Sequence, residues 1–325
     1  MDDLVAVLRA AGEPNRLRIL ALCSDGDLSV SELTRILGQS QPGVSRHLRL
    51  LCEAGLLERH QEGSWAFFHL PATGPCADIA RFLVARVDEN DAMIARDRRR
   101  LAEIKQERAA RSEAYFRQNA AQWDRIRALH VDEVEVEAAV RDLVGTASVE
   151  ALLDVGTGTG RMLHVLADSA QVAIGVDRSR DMLAVARANL SDARFGNCSV
   201  RQGDMYDLPF DAPAFDLVVL HMVLHFADRP RDAIGEAARV TRPGGHVLVV
   251  DFAPHDMEAL RDEHAHRRLG FRSEEIETWS QVHGLTVDAT RSLPGERLTV
   301  TIWKLRRDAD VRDLAVTAPA REIMQ

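Results

Sequence analysis

The sequence predicts a two-domain α/β protein: a small N-terminal unit of short helices closed by a hairpin, then a larger, mostly parallel sheet of seven strands whose last strand is antiparallel. Three observations carry that expectation. The 325 residues leave room for one small core and another of roughly 150 to 200 residues. Apolar residues recur with the helical period over the first 75 positions, and beyond residue 149 the pattern switches to alternating strands and helices, the signature of βαβ units. Hydrophobic residues make up 46% and charged residues 28% of the chain, which is a globular profile.

The first apolar runs, Leu4 to Ala11 and Leu17 to Leu22, predict helices, with Pro14 suited to the first turn of the second. Ser29-Val30-Ser31-Glu32 has the form of a capping box and starts a helix through Leu37 that Gly38 ends. Ser40-Gln41-Pro42 opens the next helix, in which Val44, Leu48 and Leu51 recur at i, i+4 and i+7, and Gly55 stops it. The runs Leu56 to Arg59 and Trp65 to Leu70, around Gly63, read as a hairpin. From Ala77 to about Arg111 there is no Gly or Pro, and Ile79, Leu83, Val87 and Ile94 share one stripe. One long amphipathic helix is expected there, with Arg96 to Arg100 on its solvated face. Helical patterns over Tyr115 to His130 and Val134 to Val144 lead into the second core.

In that core the expected strands are Ala151 to Val155, Val172 to Val176, Ser199 to Gln202, Leu217 to Leu220, Val247 to Phe252, Leu285 to Ala289 and Leu298 to Lys304. The last two sit close together around Pro294-Gly295, which makes the final strand antiparallel. The expected division is residues 1–75 for the small domain, 76–111 for the linking helix, 112–305 for the large domain and 306–325 for a tail.

A net charge of -9 argues against broad, charge-driven coating of nucleic acid, so DNA contact must come from a local patch. The four cysteines, Cys23, Cys52, Cys76 and Cys198, lack the spacing of a zinc site or redox pair. No run reaches the ~18 apolar residues of a membrane span. The start, MDDLVAVLRA, is acidic where a secretory signal would be basic, so the cytoplasm is the expected location.

The helix from Gln41 has the makings of a DNA-reading element. With Val44, Leu48 and Leu51 turned inward, Gln41, Ser45, Arg46 and Arg49 project outward, and Ser40 at its start can donate to phosphate. The hairpin would be a wing, offering Arg59, Gln61 and Ser64 to backbone or minor groove. The run Glu13 to Leu20, with Ser40 to Leu51 and Ala54-Gly55-Leu56-Leu57, resembles the ArsR/SmtB family of winged helix-turn-helix repressors. That resemblance implies binding of double-stranded operator DNA as a homodimer paired through the first and last helices, here the helix near Ala77. Many such proteins sense metal through a Cys-x-Cys pair, but the matching positions are Ser29 and Ser31, and the expected pairing helix has no histidine. No metal site is expected.

In the second domain, Asp154-Val155-Gly156-Thr157-Gly158-Thr159-Gly160 follows a strand and precedes a helix. Glycines let the backbone turn sharply and approach a ligand, although dinucleotide folds use similar turns. Asp177 closes the second strand, where a carboxylate accepts from ribose hydroxyls. Gly203-Asp204-Met205 follows the third, placing Asp204 to accept from an adenine amino group and Met205 to pack on the ring. Glycine spacing G-x-G-x-G rather than G-x-G-x-x-G suits a ligand without a pyrophosphate and disfavours a nicotinamide dinucleotide.

Together these motifs resemble the Rossmann-like class I S-adenosylmethionine-dependent methyltransferases across about residues 112 to 305. The resemblance implies S-adenosylmethionine or S-adenosylhomocysteine as cofactor, with Asp154, Gly156, Gly158 and Gly160 on the methionine half and His221 over the sulfonium. Catalysis itself is not legible. His221 and His225 are the candidate bases, with His255, His264 and His266 behind them.

The whole architecture is similar to ArsR-type regulators of methionine-cycle genes that respond to S-adenosylhomocysteine. Two functions remain open: a DNA-binding repressor whose second domain senses the cofactor, or an active methyltransferase of a small-molecule acceptor carrying an autoregulatory DNA-binding module.

Overall fold

Short helices at the N-terminus start and stop where local chemistry dictates. The computed structural model describes residues 2–62, 65–71, 73–120, 123, 133–145, 149–210 and 213–308. Helices α1 (Asp2–Ala11) and α2 (Pro14–Cys23) are separated by Glu13, whose side chain accepts from the Arg16 N–H. After a two-residue strand β1 (Leu28–Ser29), α3 (Val30–Leu37) begins at the full Ser29/Glu32 capping box and ends at Gly38 with φ 68°. Helix α4 (Gln41–Glu53) leads into the hairpin β2 (Glu58–Glu62) and β3 (Trp65–His69). Strand β3 is central in an antiparallel sheet of order β1-β3-β2.

The one long helix expected from Ala77 to Arg111 is instead two, α5 (Pro75–Val84) and α6 (Ala92–Asn119). Side-chain oxygens cause the break. Asp88 accepts from the Asn90 N–H at 2.9 Å, and Asp91 accepts from Met93 and Ile94 at 2.8 and 3.1 Å. Acids that bond their own backbone offer the chain an alternative to the helix and cap the next one. The expected helix over Tyr115 to His130 joins α6 as far as Asn119, and its remainder, Ala120 and Trp123 apart, lies outside the described residues.

Helix α6 packs on the core of α2, α3 and α4, burying Leu101 and Ile104 with Leu33, Ile36, Leu48 and Leu51. Arg18 of α2 meets Asp97 of α6 through two bonds of 2.5 and 2.9 Å, both side chains nearly inaccessible at 6% and 2%. From the stretch Arg96 to Arg100, expected on a solvated face, Arg100 instead turns partly inward and donates to the Ile36 carbonyl at 2.8 Å, which satisfies an open carbonyl in the last turn of α3.

The second sheet has order β6-β5-β4-β7-β8-β10-β9, formed by β4 (Val149–Val155), β5 (Ala170–Asp177), β6 (Cys198–Gln202), β7 (Phe215–His221), β8 (Thr241–Phe252), β9 (Leu285–Pro294) and β10 (Thr299–Arg307). All neighbours are parallel except β10, which runs against both β8 and β9. Helices α7 (Glu133–Val144), α8 (Arg161–Leu166), α9 (Arg180–Asn189), α10 (Pro230–Val240) and α12 (Ser273–Val282) accompany it, α11 (Glu258–Glu263) preceding α12 in the chain. Leu152, Leu153, Val218, Val219, Val249 and Val250 are buried, as expected where helices cover both faces.

The chain divides into two units that are not contiguous. The first comprises residues 1–115, 225–229 and 254–270, and the second 116–224, 230–253 and 271–325. This partition differs from the expected seams after residues 75 and 111, and it gives α11 to the first unit. Residues of the expected tail from 309 onward lie outside those described.

Replacing Asp97 with Ala leaves Arg18 buried without its carboxylate, which costs about 3–5 kcal/mol. The expected outcome is a matching loss of hydrogen-exchange protection in α2 and α6, with the second unit's strands unchanged.

Candidate functional site

The first unit presents one polar helix face. Val44, Leu48 and Leu51 of α4 are buried, while Gln41, Ser45, Arg46 and Arg49 are exposed. Ser40 is the N-cap, and its exposed hydroxyl makes no capping bond. Arg49 lies 3.7 Å from Glu53 with both side chains mostly in solvent, a pair too weak to hold the guanidinium back from another anion. On the wing, Arg59 and Gln61 are exposed and share a 2.6 Å bond. Ser64 lies outside the described residues.

A charged network that the sequence did not reveal underlies the wing. His69 of β3 sets Nε2 3.2 Å from Glu58 of β2 and Nδ1 3.4 Å from Asp27. Asp27 in turn meets Arg268 at 3.1 Å, and the Arg268 side chain is only 4% exposed. Burial pulls the His69 pKa down, but the Glu58 hydrogen bond and the Asp27 and Glu58 charges outweigh it and raise the group above its usual value. Beside this, Arg261 lies over the rings of Phe67 and Trp65, 5.3 and 5.9 Å from their centroids. Arg108 of α6 bridges Glu32 of the capping box and Asp228, and Arg267 reaches the same Asp228 at 3.2 Å. In sequence Arg267-Arg268 directly follows His264-Ala265-His266, with no spacing that marks these pairings.

In the second unit the crevice forms at the carboxyl ends of β4, β5 and β7, where the strand order reverses, the usual ligand position in such sheets. The Gly156 and Thr157 N–H groups both donate to the Val176 carbonyl, at 2.8 and 3.0 Å, pinning the glycine loop to β5. Gly156 has φ 72°, and a Cβ there would overlap Val223, so glycine is required for loop and post-β7 segment to meet. Gly158, at φ 53°, has Trp123 near the position of a Cβ, 3.6 Å from its Nε1. Phe116 stands edge-on to Trp123 at 5.3 Å. Asn189 of α9 holds the loop from behind by donating to the Thr159 carbonyl at 3.0 Å. Gly160 is the N-cap of α8.

Asp154 is buried at the end of β4. Asp177 accepts from the Gly158 N–H at 2.9 Å and the Ser179 N–H at 2.7 Å. Burial pushes its pKa up against the pull of Ser179, Gly158 and Arg178 N–H groups. A carboxylate so short of solvent favours further donors. Asp177 therefore also fixes the glycine loop. Asp204 accepts from the Tyr206 N–H at 3.0 Å, with Met205 half-buried beside it.

The histidines part company. His221 closes β7 in the second unit, and the next residue, Met222, takes a left-handed φ of 51°. His225 belongs to the first unit, where its ring, 3% exposed, stacks on His266 with centroids 4.1 Å apart. His264 shares a 2.7 Å bond with Tyr115. Among the described residues, no group of three or more His, Cys, Asp or Glu is placed to hold a metal. Ser29 Oγ serves the capping box instead.

Comparison with known proteins adds two family matches. The bacterial regulatory protein arsR family matches residues 13–59, and the methyltransferase domain family matches residues 153–249. A demethylmenaquinone methyltransferase of Renibacterium salmoninarum is 34% identical over 114 residues, 35% of this chain and 46% of that protein. An uncharacterized methyltransferase of Bacillus subtilis is 32% identical over 118 residues, 35% of this chain and 47% of its own length. The chain thus spans about half the length of these curated relatives. The N-methyltransferase NodS of Bradyrhizobium japonicum, solved in complex with S-adenosyl-L-homocysteine, shares the fold at a TM-score of 0.51 and 19% identity, covering 60% of this chain and 98% of NodS.

Because the Glu58 hydrogen bond and the Asp27 and Glu58 charges raise His69, the stability it contributes is full below the ordinary histidine value of 6.5 and is lost as pH rises through its raised value. Wing amide exchange, corrected for intrinsic rate, is expected to accelerate as pH rises above 6.5. His69→Asn should flatten that profile.

Proposed function

We propose that this chain, which joins an arsR-type helix-turn-helix domain to a methyltransferase domain, is a DNA-binding transcriptional regulator whose methyltransferase domain binds S-adenosylmethionine or S-adenosylhomocysteine as effector. The single observation that carries this reading is the composition of the first unit. Residues 225–229 and 254–270, which follow strand ends bordering the crevice, are built into the winged-helix unit. A purely catalytic domain with a tethered reader would have no use for that exchange of chain.

On the DNA side, Ser40, Gln41, Ser45, Arg46 and Arg49 read the groove or hold phosphate, and Arg59, Gln61 and Ser64 serve from the wing. The unit pairs as a homodimer: Leu4, Val5 and Leu8 of α1 and Phe82 of α5 are exposed at 50%, 37%, 54% and 57%, an apolar surface that a second copy would cover. On the ligand side, Asp154, Gly156, Gly158 and Gly160 hold the methionine half, Asp177 the ribose hydroxyls, and Asp204 and Met205 the adenine. The cradle fits such a ligand because Gly158 opens onto Trp123 rather than packed backbone and because Asp177 is a desolvated acceptor. His221 stands beside the sulfur. The bound cofactor would supply a transferable methyl group at a sulfonium, but of the two candidate bases His225 is buried on His266. This favours sensing over transfer to a small-molecule acceptor. No helix among the described residues is long and apolar enough to cross a membrane.

The test begins with duplexes selected from a randomised pool by the full-length protein. The double substitution Arg46→Ala with Arg49→Ala is expected to weaken binding to the selected operator by about 1–3 kcal/mol per lost base contact. Affinity equal to the parent's would refute the recognition-helix assignment.

Calorimetric titration of Asp177→Asn is the companion experiment. Asn keeps one acceptor, for the Gly158 N–H, and gives up the one for the Ser179 N–H, so the tie to the glycine loop survives while the charge facing the ribose is lost. Affinity for both cofactor forms should fall by about 1.5–3 kcal/mol, and unchanged affinity would show that the crevice is misassigned.

A further inference from the structure

The wing is held by residues that the chain supplies from beyond residue 250. Arg268 closes the Asp27–His69–Glu58 chain that links β1's approach to both wing strands. Arg261 lies over exposed Trp65 and buried Phe67 of β3, whose rings stack on each other at 6.4 Å. Its guanidinium also donates to the Arg267 carbonyl. The stretch carrying both arginines is itself clamped: the His225 carbonyl accepts the N–H of Arg267 at 2.7 Å and of Arg268 at 3.1 Å. His225 stands two residues after Val223, the side chain that presses on Gly156 of the glycine loop. Immediately before Val223 the backbone passes Met222 in its left-handed conformation, a sterically costly state for a non-glycine residue that persists only where its surroundings enforce it.

We propose that Arg261 and Arg268 are positioning residues of the DNA-reading wing, and that residues 225–229 with 254–270 carry the state of the crevice to it. This rests on the reading under Proposed function that the crevice binds S-adenosylhomocysteine. The physical argument is short. A ligand seated on the glycine loop meets a segment, Met222–Val223, that cannot move without drawing His225 along. His225 cannot move without pulling two consecutive backbone N–H groups, and those belong to Arg267 and Arg268. A buried guanidinium cannot leave its carboxylate cheaply, so Asp27, His69 and the wing strands follow.

The experiment uses the full chain and reads hydrogen exchange in the wing, residues 58–62 and 65–69, with and without S-adenosylhomocysteine. In the parent, ligand should change wing exchange. Arg261→Gln removes the cation over Phe67 and Trp65, so basal wing exchange should rise about fivefold, the size expected for a partly desolvated cation–aromatic contact. The ligand response should disappear in this variant while S-adenosylhomocysteine affinity stays within about twofold of the parent's. Exchange in α4, residues 41–53, should be unaltered, which separates loss of wing positioning from general unfolding. Arg261→Lys, which keeps a cation over the rings, should restore most of the response. If Arg261→Gln unfolds, Arg268→Lys, which keeps the charge beside Asp27 but not the guanidinium's planar geometry, replaces it with the same expected pattern.

Wing exchange equal to the parent's in a folded variant, with and without ligand, would overturn the proposal. A parent that binds S-adenosylhomocysteine without any change in its wing overturns it as well. A parent that binds no S-adenosylhomocysteine contradicts the functional reading instead, and the ligand-free comparison then still decides whether Arg261 positions the wing.

Discussion

A guanidinium removed from water must be matched by a carboxylate, because the cost of stranding it exceeds most single interactions in a protein of this size. Arg268, with 4% of its side chain exposed, finds Asp27 at 3.1 Å, 241 residues away in sequence. That pairing fixes where residues 254–270 must lie, and much of the first unit's organisation depends on it. With Arg268 in place, Arg267 reaches Asp228, Arg108 reaches both Asp228 and the capping-box Glu32, and Arg261 lies over the wing aromatics. The winged helix is therefore completed by chain that the methyltransferase sheet supplies, and the polypeptide passes between the units at 115–116, 224–225, 229–230, 253–254 and 270–271.

A second buried pair, Arg18 with Asp97, does for α6 what Arg268 does for the wing. It ties the long helix to α2, and Leu101 and Ile104 add apolar burial along the same face. Further along α6, Tyr115 bonds to His264 in the first unit while the next residue, Phe116, packs on Trp123 in the second. Coupling between two sites requires that each bias the same conformational element, and the shared segments are natural candidates for it.

What was legible in the sequence is what obeys local rules. The Ser29–Glu32 capping box, Gly38 as terminator, the inward stripe of Val44, Leu48 and Leu51, and the strand-and-glycine order from Asp154 to Asp204 all depend on neighbours a few residues away. They stand in the structure where those rules place them. The break between α5 and α6 was not legible, because Asp88 and Asp91 read equally well as a solvated helix face until their oxygens are seen on the Asn90, Met93 and Ile94 N–H groups. Strand β1 is too short to show a period. The Arg268–Asp27 pair, and with it the discontinuous first unit, leaves no periodic trace, since a single long-range ion pair has no spacing to detect. At the crevice the residue types were readable but not their second duties. Asp177 accepts from the Gly158 N–H and so anchors the glycine loop, and His225 is stacked on His266.

The central claim is that crevice and operator face act as one thermodynamic system. Its most direct test is operator affinity of the full-length protein measured free, saturated with S-adenosylmethionine and saturated with S-adenosylhomocysteine, using Asp177→Asn as a control. The two forms differ by one methyl group and one positive charge at the sulfur, and a ligand shifts an equilibrium only by its differential affinity for the two states. The account predicts that S-adenosylhomocysteine changes operator affinity more than S-adenosylmethionine does, by about 1–3 kcal/mol, with DNA changing cofactor affinity by the same factor. Equal operator affinity in all three states would contradict it and leave a methyltransferase that merely carries a DNA-binding module.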